Sequence, residues 1–191
     1  MFRCKSVIIH SQRIRDNQSR IILFTGEFWK VTTWYKKKDL PESGSIVEAF
    51  IERKGDVNTL MRIENTLISR EENWSYQEVF SLLSLLKTLY HWLPEWLAQK
   101  GIFEDIETCF STLPLCHERE QFLLLIHART MKILWYLKED FYKSSPLTSY
   151  IYRKIDTCAV GSLRESRTIK HQERALIQRS IEEAHQTMTH T

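Results

Sequence analysis

The chain has 191 residues, 42% of them hydrophobic and 12% aromatic, which is enough for one large core or two small ones and excludes wholesale disorder. Its 27 Lys/Arg nearly balance its 24 Asp/Glu, so the net charge of +3 does not name a partner. The charge is unevenly distributed. Residues 1–70 contain 13 Lys/Arg and 8 Asp/Glu, and the remainder contains 14 and 16. The positive potential is therefore concentrated in the N-terminal part.

The four cysteines, Cys4, Cys109, Cys116 and Cys158, include no C-x-x-C pair, so we predict neither a zinc ribbon nor a dithiol site. Cys109 and Cys116 with His117 could be read as a metal cluster, but the apolar setting of Cys109 favours ordinary reduced thiols. The apolar run at the start is too short for a secretory signal, and no stretch approaches the roughly 20 apolar residues that span a bilayer. We expect a cytoplasmic protein with no metal, no cofactor and no membrane partner.

The first seventy residues have the pattern of short strands rich in Val, Ile, Phe, Trp and Thr. The predicted strands are 4–14, 20–25, 28–37, 46–54 and 57–68. Turn-forming residues separate them, and Lys54-Gly55-Asp56-Val57 predicts a hairpin. Five antiparallel strands of this length predict a small closed barrel, because an open sheet would expose long edges. An oligonucleotide-binding (OB) fold is the first candidate, and an SH3-like barrel fits the same strand count.

Helical periodicity replaces the strand pattern after the fifth strand. Ser75 and Glu78 have the spacing of a capping box, and the apolar residues that follow recur at helical spacing as far as Leu93. A second apolar stripe runs from Phe103 to Leu113 and stops before a proline. These patterns predict two amphipathic helices.

Two further helices are predicted, and they differ in polarity. Residues 118–138 are apolar on almost every side, which is typical of a helix at the centre of a bundle. Residues 168–186 are strongly charged and predict a largely solvated helix. The expected fold class is therefore α+β, with a five-stranded OB-fold barrel in residues 1–70 and an α-helical domain in residues 74–191.

Motifs that would indicate catalysis are absent from the sequence. Its five glycines are too far apart to form a phosphate-binding loop, and there is no nucleophile elbow, zinc-protease motif or paired-carboxylate signature. The seven histidines are scattered, and His10, His91 and His127 lie in apolar or strand contexts that favour structural roles. We predict that the protein is not an enzyme and has no catalytic residues.

Residues 28–38 carry the clearest indication of function. Read at period two, one face of this segment holds Trp29, Val31, Thr33 and Tyr35, and the other holds Lys30, Thr32, Trp34, Lys36 and Lys38. The first face suits a barrel core. The second is cationic and carries a ring, which is typical of a nucleic-acid-binding sheet because phosphates bind cations and unpaired bases stack on aromatic side chains.

We expect nucleic acid to contact seven residues: Arg13, Arg15, Lys30, Trp34, Lys36, Lys37 and Lys38. Arg13 and Arg15 would share one face of the first strand. Strict alternation turns Lys37 inward, so the third strand must end or bend there. Two other interpretations stay open: Trp34 as a core or interdomain ring, and the lysine run as a merely solvated loop.

The segment Asp16–Thr25, followed by Lys30-Val31 and Lys36-Lys37-Lys38, resembles the bacterial recombination mediator family RecO. Its members carry an acidic-polar turn, an apolar strand ending in Thr and a Gly-Lys-Val-like strand that runs into basic residues. An α-helical domain follows their OB barrel. The chain differs in having Trp29 and Lys37 where glycines are usual, in lacking the cysteine-pair zinc module and in being shorter.

The resemblance implies a non-catalytic role in DNA repair and homologous recombination. RecO-like proteins bind single- and double-stranded DNA, anneal complementary strands and help load a recombinase onto DNA coated by single-strand-binding protein. They act with RecR and dock the C-terminal tail of the single-strand-binding protein on their helical domain. A cytoplasmic, nucleoid-associated location follows. The alternatives from the sequence are a protein-interaction adaptor and an RNA-binding OB-fold protein.

Overall fold

The computed structural model divides the chain into two compact units, Met1–Pro114 and Leu115–Thr191. The sequence places the domain boundary at residues 70–74, where strands give way to helices. The two compact units meet later, after Pro114, so the first two helices belong to the same unit as the strands. The described residues are 1–67, 74–93, 100–113, 119–134, 136–137, 145–157 and 170–189.

Five strands in the first unit form a closed barrel. They are β1 (Phe2–Arg15), β2 (Gln18–Thr25), β3 (Trp29–Tyr35), β4 (Ile46–Lys54) and β5 (Val57–Leu67). The order around the barrel is β1-β2-β3-β5-β4, and β4 pairs back onto β1. The β3–β5 pair is parallel, and the other four pairs are antiparallel. A closed five-stranded barrel followed by helices confirms the predicted α+β, OB-type architecture.

The inward face of β3 is the one that period-two alternation predicts. Val31, Thr33 and Tyr35 are buried, and the core around them includes Ile21, Leu23, Ala49, Ile51 and Leu60. The side chain of Trp29, expected on the same face, lies outside the described part of the structure. β3 ends at Tyr35, before Lys37 would have to turn inward, as the alternation requires.

The described residues include five helices: α1 (Tyr76–Trp92), α2 (Lys100–Thr112), α3 (Arg119–Ile133), α4 (Pro146–Thr157) and α5 (His171–Thr189). The predicted capping box starts α1: Glu78 N donates to Ser75 Oγ at 3.3 Å, and Ser75 N donates to Glu78 Oε2 at 2.7 Å. Sequence reasoning did not predict α4. No helix within the described ranges is long and apolar enough to cross a membrane.

The helix α2 packs on the outside of the barrel. Phe24 of β2 points outward yet is fully buried, because its ring lies 5.3 Å from that of Phe103. A Cβ atom at Gly26 would lie 2.9 Å from Phe103 Cδ1, so glycine gives the ring room to approach the barrel. Lys5 of β1 and Glu107 of α2 form an ion pair at the same contact.

In the second unit, α3 buries side chains on most of its surface. Its buried residues include Phe122, Leu123, Leu125, Ile126, Ala128 and Met131, which confirms the expected central position. The expectation for α5 was wrong in part. Ile177, Ile181 and Ala184 are buried at helical spacing, so a narrow apolar face packs although most of the helix surface is charged. Arg174 of α5 also donates a hydrogen bond to Glu120 of α3.

The same pair of helices buries a histidine. His127 of α3 is buried, and its ring centroid lies 5.7 Å from that of His185 on α5. Burial, with a smaller contribution from His185, lowers the pKa of His127 from 6.5 to about 3. The imidazole is therefore neutral in the folded protein throughout the physiological range.

The buried imidazole predicts acid sensitivity of the second unit. Below pH 6.5 the unfolded chain binds a proton at His127 before the folded chain does, so the stabilisation is complete above that pH and is lost as the pH falls toward 3. Between about pH 7 and about pH 5, we expect His127 to account for a loss of roughly 2 kcal/mol in the free energy of unfolding.

Urea unfolding followed by circular dichroism at both pH values measures this loss. His127→Leu is expected to lose less stability than the wild type over the interval. His171→Leu, at an exposed histidine of α5, is the matched control and should keep the wild-type pH dependence. Equal losses in the wild type and His127→Leu would contradict the assignment.

Candidate nucleic-acid interface

The outward face of β2 and β3 has a covered half and an accessible half. Ile22 and Phe24 are buried in the covered half. In the other half, Arg20 of β2 lies directly opposite Trp34 of β3, and both are partly exposed. Opposed residues on adjacent strands project to the same side, so the guanidinium and the indole are neighbours on the barrel surface.

The partner of Trp34 on its other side is Thr59 of β5, across the parallel pair that closes the barrel. Arg20, Trp34 and Thr59 therefore form a row across three strands, which we call the platform. Trp34 is held by a strand on each side and faces outward while Tyr35 faces the core. The interpretation of Trp34 as a core ring does not fit this geometry.

The lysine run continues directly from the platform. Lys36, Lys37 and Lys38 follow the end of β3, and all three are exposed. Lys37 Nζ lies 5.9 Å from the ring centroid of Tyr35, and Arg13 donates a hydrogen bond of 2.6 Å to the Lys38 carbonyl oxygen. Arg13 thus ties the lysine segment back to β1.

Arg13 and Arg15 do not share a strand face. A register shift between them sets Arg13 opposite Ser19 and Arg15 opposite Gln18, two consecutive residues of β2 that project to opposite sides. The expectation of one shared face assumed a regular strand and is wrong. Both side chains remain exposed, with Arg15 beside the β1–β2 turn.

Lys30 has a different role from the one expected. Its Nζ donates to the carbonyl oxygens of Tyr90, at 3.0 Å, and Leu93, at 3.3 Å, and lies 5.9 Å from the Tyr90 ring centroid. These carbonyls belong to the C-terminal turn of α1, where the helix dipole favours a cation. Lys30 therefore fastens α1 to the barrel and is separated from the platform by Thr32.

Arg20 is a site residue that sequence reasoning missed. The sequence pattern could have predicted that Arg20 faces outward. Ile21 and Leu23 form the inward face of β2, and alternation places Arg20 on the opposite face. Pairing it with Trp34 requires the β2–β3 register, which a single strand pattern does not supply.

The β4–β5 hairpin adds further basic side chains. Arg53 and Lys54 are exposed and lie five or six residues before Thr59. Arg53 Nε donates to the Gly55 carbonyl oxygen at 3.2 Å, and Lys54 pairs with Glu52 at 3.2 Å. In OB folds, ligands contact the face of strands 2 and 3 together with the loops β1–β2 and β4–β5. The platform and this hairpin occupy two of those positions, whereas Lys36–Lys38 lie in the β3–β4 connection, directly after the platform strand.

The buried phenol of Tyr35 lies next to the platform and the lysine segment. Burial, with a smaller contribution from the charge of Asp39, raises the pKa of Tyr35 above its ordinary value of 10. The phenol therefore stays neutral beneath the lysine segment and adds no negative charge to it. The three exposed lysines outnumber Asp39, the acidic residue that follows them, so the segment has a net positive charge.

Within the described residues, no group of three or more His, Cys, Asp or Glu side chains could hold a metal ion. Cys116, His117 and Cys158 lie outside those residues, as does the side chain of Cys109. Cys4 is buried, and burial raises the pKa of its thiol. A buried thiol with a raised pKa is a poor nucleophile, so Cys4 has a packing role in the core.

Comparison with known proteins does not assign the chain to a family: neither the models of protein families nor the curated proteins contain a match to it.

The hydrogen bonds from Lys30 to α1 predict that replacing this lysine destabilises the protein. Lys30→Met removes the cation from the last carbonyls of α1, and we expect the free energy of unfolding to fall by about 1–2 kcal/mol. Lys36→Met, at an exposed lysine of the same segment, should change it by less than about 0.5 kcal/mol. Urea unfolding of both variants provides the measurement. A smaller loss for Lys30→Met than for Lys36→Met would contradict the anchoring role.

Proposed function

We propose that this protein is a RecO-like mediator of DNA repair and homologous recombination that binds DNA through its barrel. The observation that carries the proposal is the outward Trp34, set between Arg20 and Thr59 on the ligand-binding face of an OB-type barrel. The exposed Lys36–Lys38 segment begins two residues further along the chain, just after β3 ends. A ring for bases and cations for phosphates are the two elements of single-strand recognition.

The proposed mechanism is non-catalytic. The lysines and arginines neutralise phosphates and release counterions, so affinity falls steeply with salt. Trp34 stacks on an unpaired base, and Arg20 can pack on the next base or pair with the intervening phosphate. Annealing follows if the same surface holds two strands close together with little sequence readout. The proposed partners are single- and double-stranded DNA, a RecR-like protein and the C-terminal tail of a single-strand-binding protein.

The second candidate function is a protein-interaction adaptor. It is favoured by one row on α1, where Tyr76, Phe80 and Leu83 are 82%, 62% and 52% exposed at spacings of four and three residues. Apolar side chains exposed along one helix face are typical of protein contacts. An adaptor would bind no nucleic acid at low salt, and a translation-related OB protein would prefer RNA to DNA of equal length.

The lysine segment is tested by charge reversal. We expect Lys36→Glu, Lys37→Glu and Lys38→Glu together to weaken single-strand binding at low salt by about 10- to 100-fold and to reduce the salt slope by about 0.7 for each phosphate that the variant no longer neutralises. Arg153→Glu, Lys170→Glu and Arg179→Glu, at exposed sites of the second unit, give the same change in net charge. Fluorescence anisotropy across a salt series compares the two triple variants. Equal affinities would refute a localised surface.

Trp34 is tested by removing its ring. Trp34→Leu should weaken single-strand binding by about 5- to 150-fold, the equivalent of one stacked base, and should affect duplex binding much less. Phe28→Leu is the control, because Phe28 is 47% exposed on the turn before β3, away from the platform. Titration of both variants with labelled single strands and duplexes separates the effects. Identical losses on single and double strands would argue against stacking.

A further inference from the structure

A cleft on the outer side of the barrel lies between β1 and α1, within the first unit. Its volume is about 290 Å³. Its lining residues are Ile9, His10, Ser43, Leu83, Leu86, Lys87, Tyr90 and His91. This volume is at the small end of the range for small-molecule sites, so the cleft suits one flat ring with its substituents and is too small for a peptide helix.

The wall of the cleft is apolar and aromatic. The Tyr90 ring centroid lies 5.1 Å from that of His10 on β1 and 4.8 Å from that of His91. Leu83 and Leu86 complete the wall on the helix side. Any of the nucleic-acid bases can pack against such rings, because every base has a π-face.

The polar groups of the cleft favour an anion. None of its lining residues is acidic, and Lys87 is exposed. Burial, and then the positive charges of Lys87 and Lys30, lower the pKa of His91. The potential at His91 is therefore positive, and a phosphate beside it would be stabilised by Lys87 and would raise that pKa.

The cleft adjoins the platform along β1 and β2. Gln12 lies opposite Arg20, and His10 lies opposite Ile22, so His10 and Gln12 project from the same outer face of the barrel as Arg20 and Trp34. Two residues of a strand cover roughly 7 Å. A strand of nucleic acid that leaves Trp34 past Arg20 and Gln12 thus reaches the cleft without crossing the barrel.

We propose that the cleft between β1 and α1 binds one nucleotide of a single strand whose neighbouring bases lie on the platform. The base packs against Tyr90 and Leu83, and its phosphate pairs with Lys87. The assignment rests on the proposed function, since it extends the same single-strand site from the barrel to α1. It gives α1 a direct part in binding and lengthens the site beyond the strands.

The test fills the cleft and varies the length of the strand. Leu83→Trp places a larger side chain at a half-exposed position of the lining, and Phe80→Trp enlarges a side chain of the same helix outside the cleft. Oligo-dT of increasing length, from about 4 to about 16 nucleotides, covers the site sizes of OB folds. We expect Leu83→Trp to weaken binding of the longer strands by about 5- to 150-fold and to leave the shortest unchanged. Phe80→Trp should match the wild type at every length.

A second variant removes only the charge. Lys87→Gln should reduce the salt slope for the longer strands by about 0.7, the equivalent of one phosphate contact, without changing the slope for the shortest. NMR of the imidazole protons gives an independent readout: oligo-dT long enough to reach the cleft should raise the pKa of His91, and the shortest strand should not.

The outcomes separate the cleft from the function on which it rests. If the wild type binds no single strand, the proposed function fails. If the wild type binds, but Leu83→Trp matches Phe80→Trp and the resonances of His91 do not move, the cleft assignment is overturned and the platform stands. Movement of His91 with an acidic apolar peptide, and not with oligo-dT, would also overturn it in favour of a protein partner.

Discussion

The parallel pairing of β3 with β5 is the constraint on which the barrel and the candidate site both depend. It joins Trp34 to Thr59 and Tyr35 to Leu60. Tyr35 and Leu60 face inward and are buried, so the pair forms part of the barrel core. The same two pairings hold Trp34 outward between two strands. The backbone at this position is therefore already in place for a ligand, which is the benefit of a preorganised site.

One strand therefore serves two purposes on its outward face. Lys30, at the start of β3, donates its hydrogen bonds to carbonyls at the C-terminal end of α1 and so joins the helix to the barrel. Trp34, four residues later, lies beyond the helix. The division explains why the outward residues of β2 change from the buried Ile22 and Phe24 to the partly exposed Arg20. Helix packing covers half of this outward face and leaves the other half accessible.

The sequence predicted what depends on local pattern. Alternation identified the inward residues Val31 and Tyr35, and capping chemistry placed the start of α1 at Ser75. Features that depend on tertiary contacts or irregular backbone were not predictable. The role of Lys30 requires α1 to arrive from sixty residues away, and the separation of Arg13 from Arg15 arises from a bulge that no period-two pattern displays.

The anchoring of α1 also connects the two halves of the site. Lys30 holds the helix at Tyr90 and Leu93, and the same helical turns supply Tyr90 and His91 to the cleft. β3 thus carries Trp34 directly and, through Lys30, fixes the opposite wall against which a neighbouring nucleotide would pack. A loosened helix would widen the cleft and leave the platform intact. Under the proposed function, the length of strand held would therefore depend on how firmly α1 is fastened, and the strength of the first contacts on the barrel.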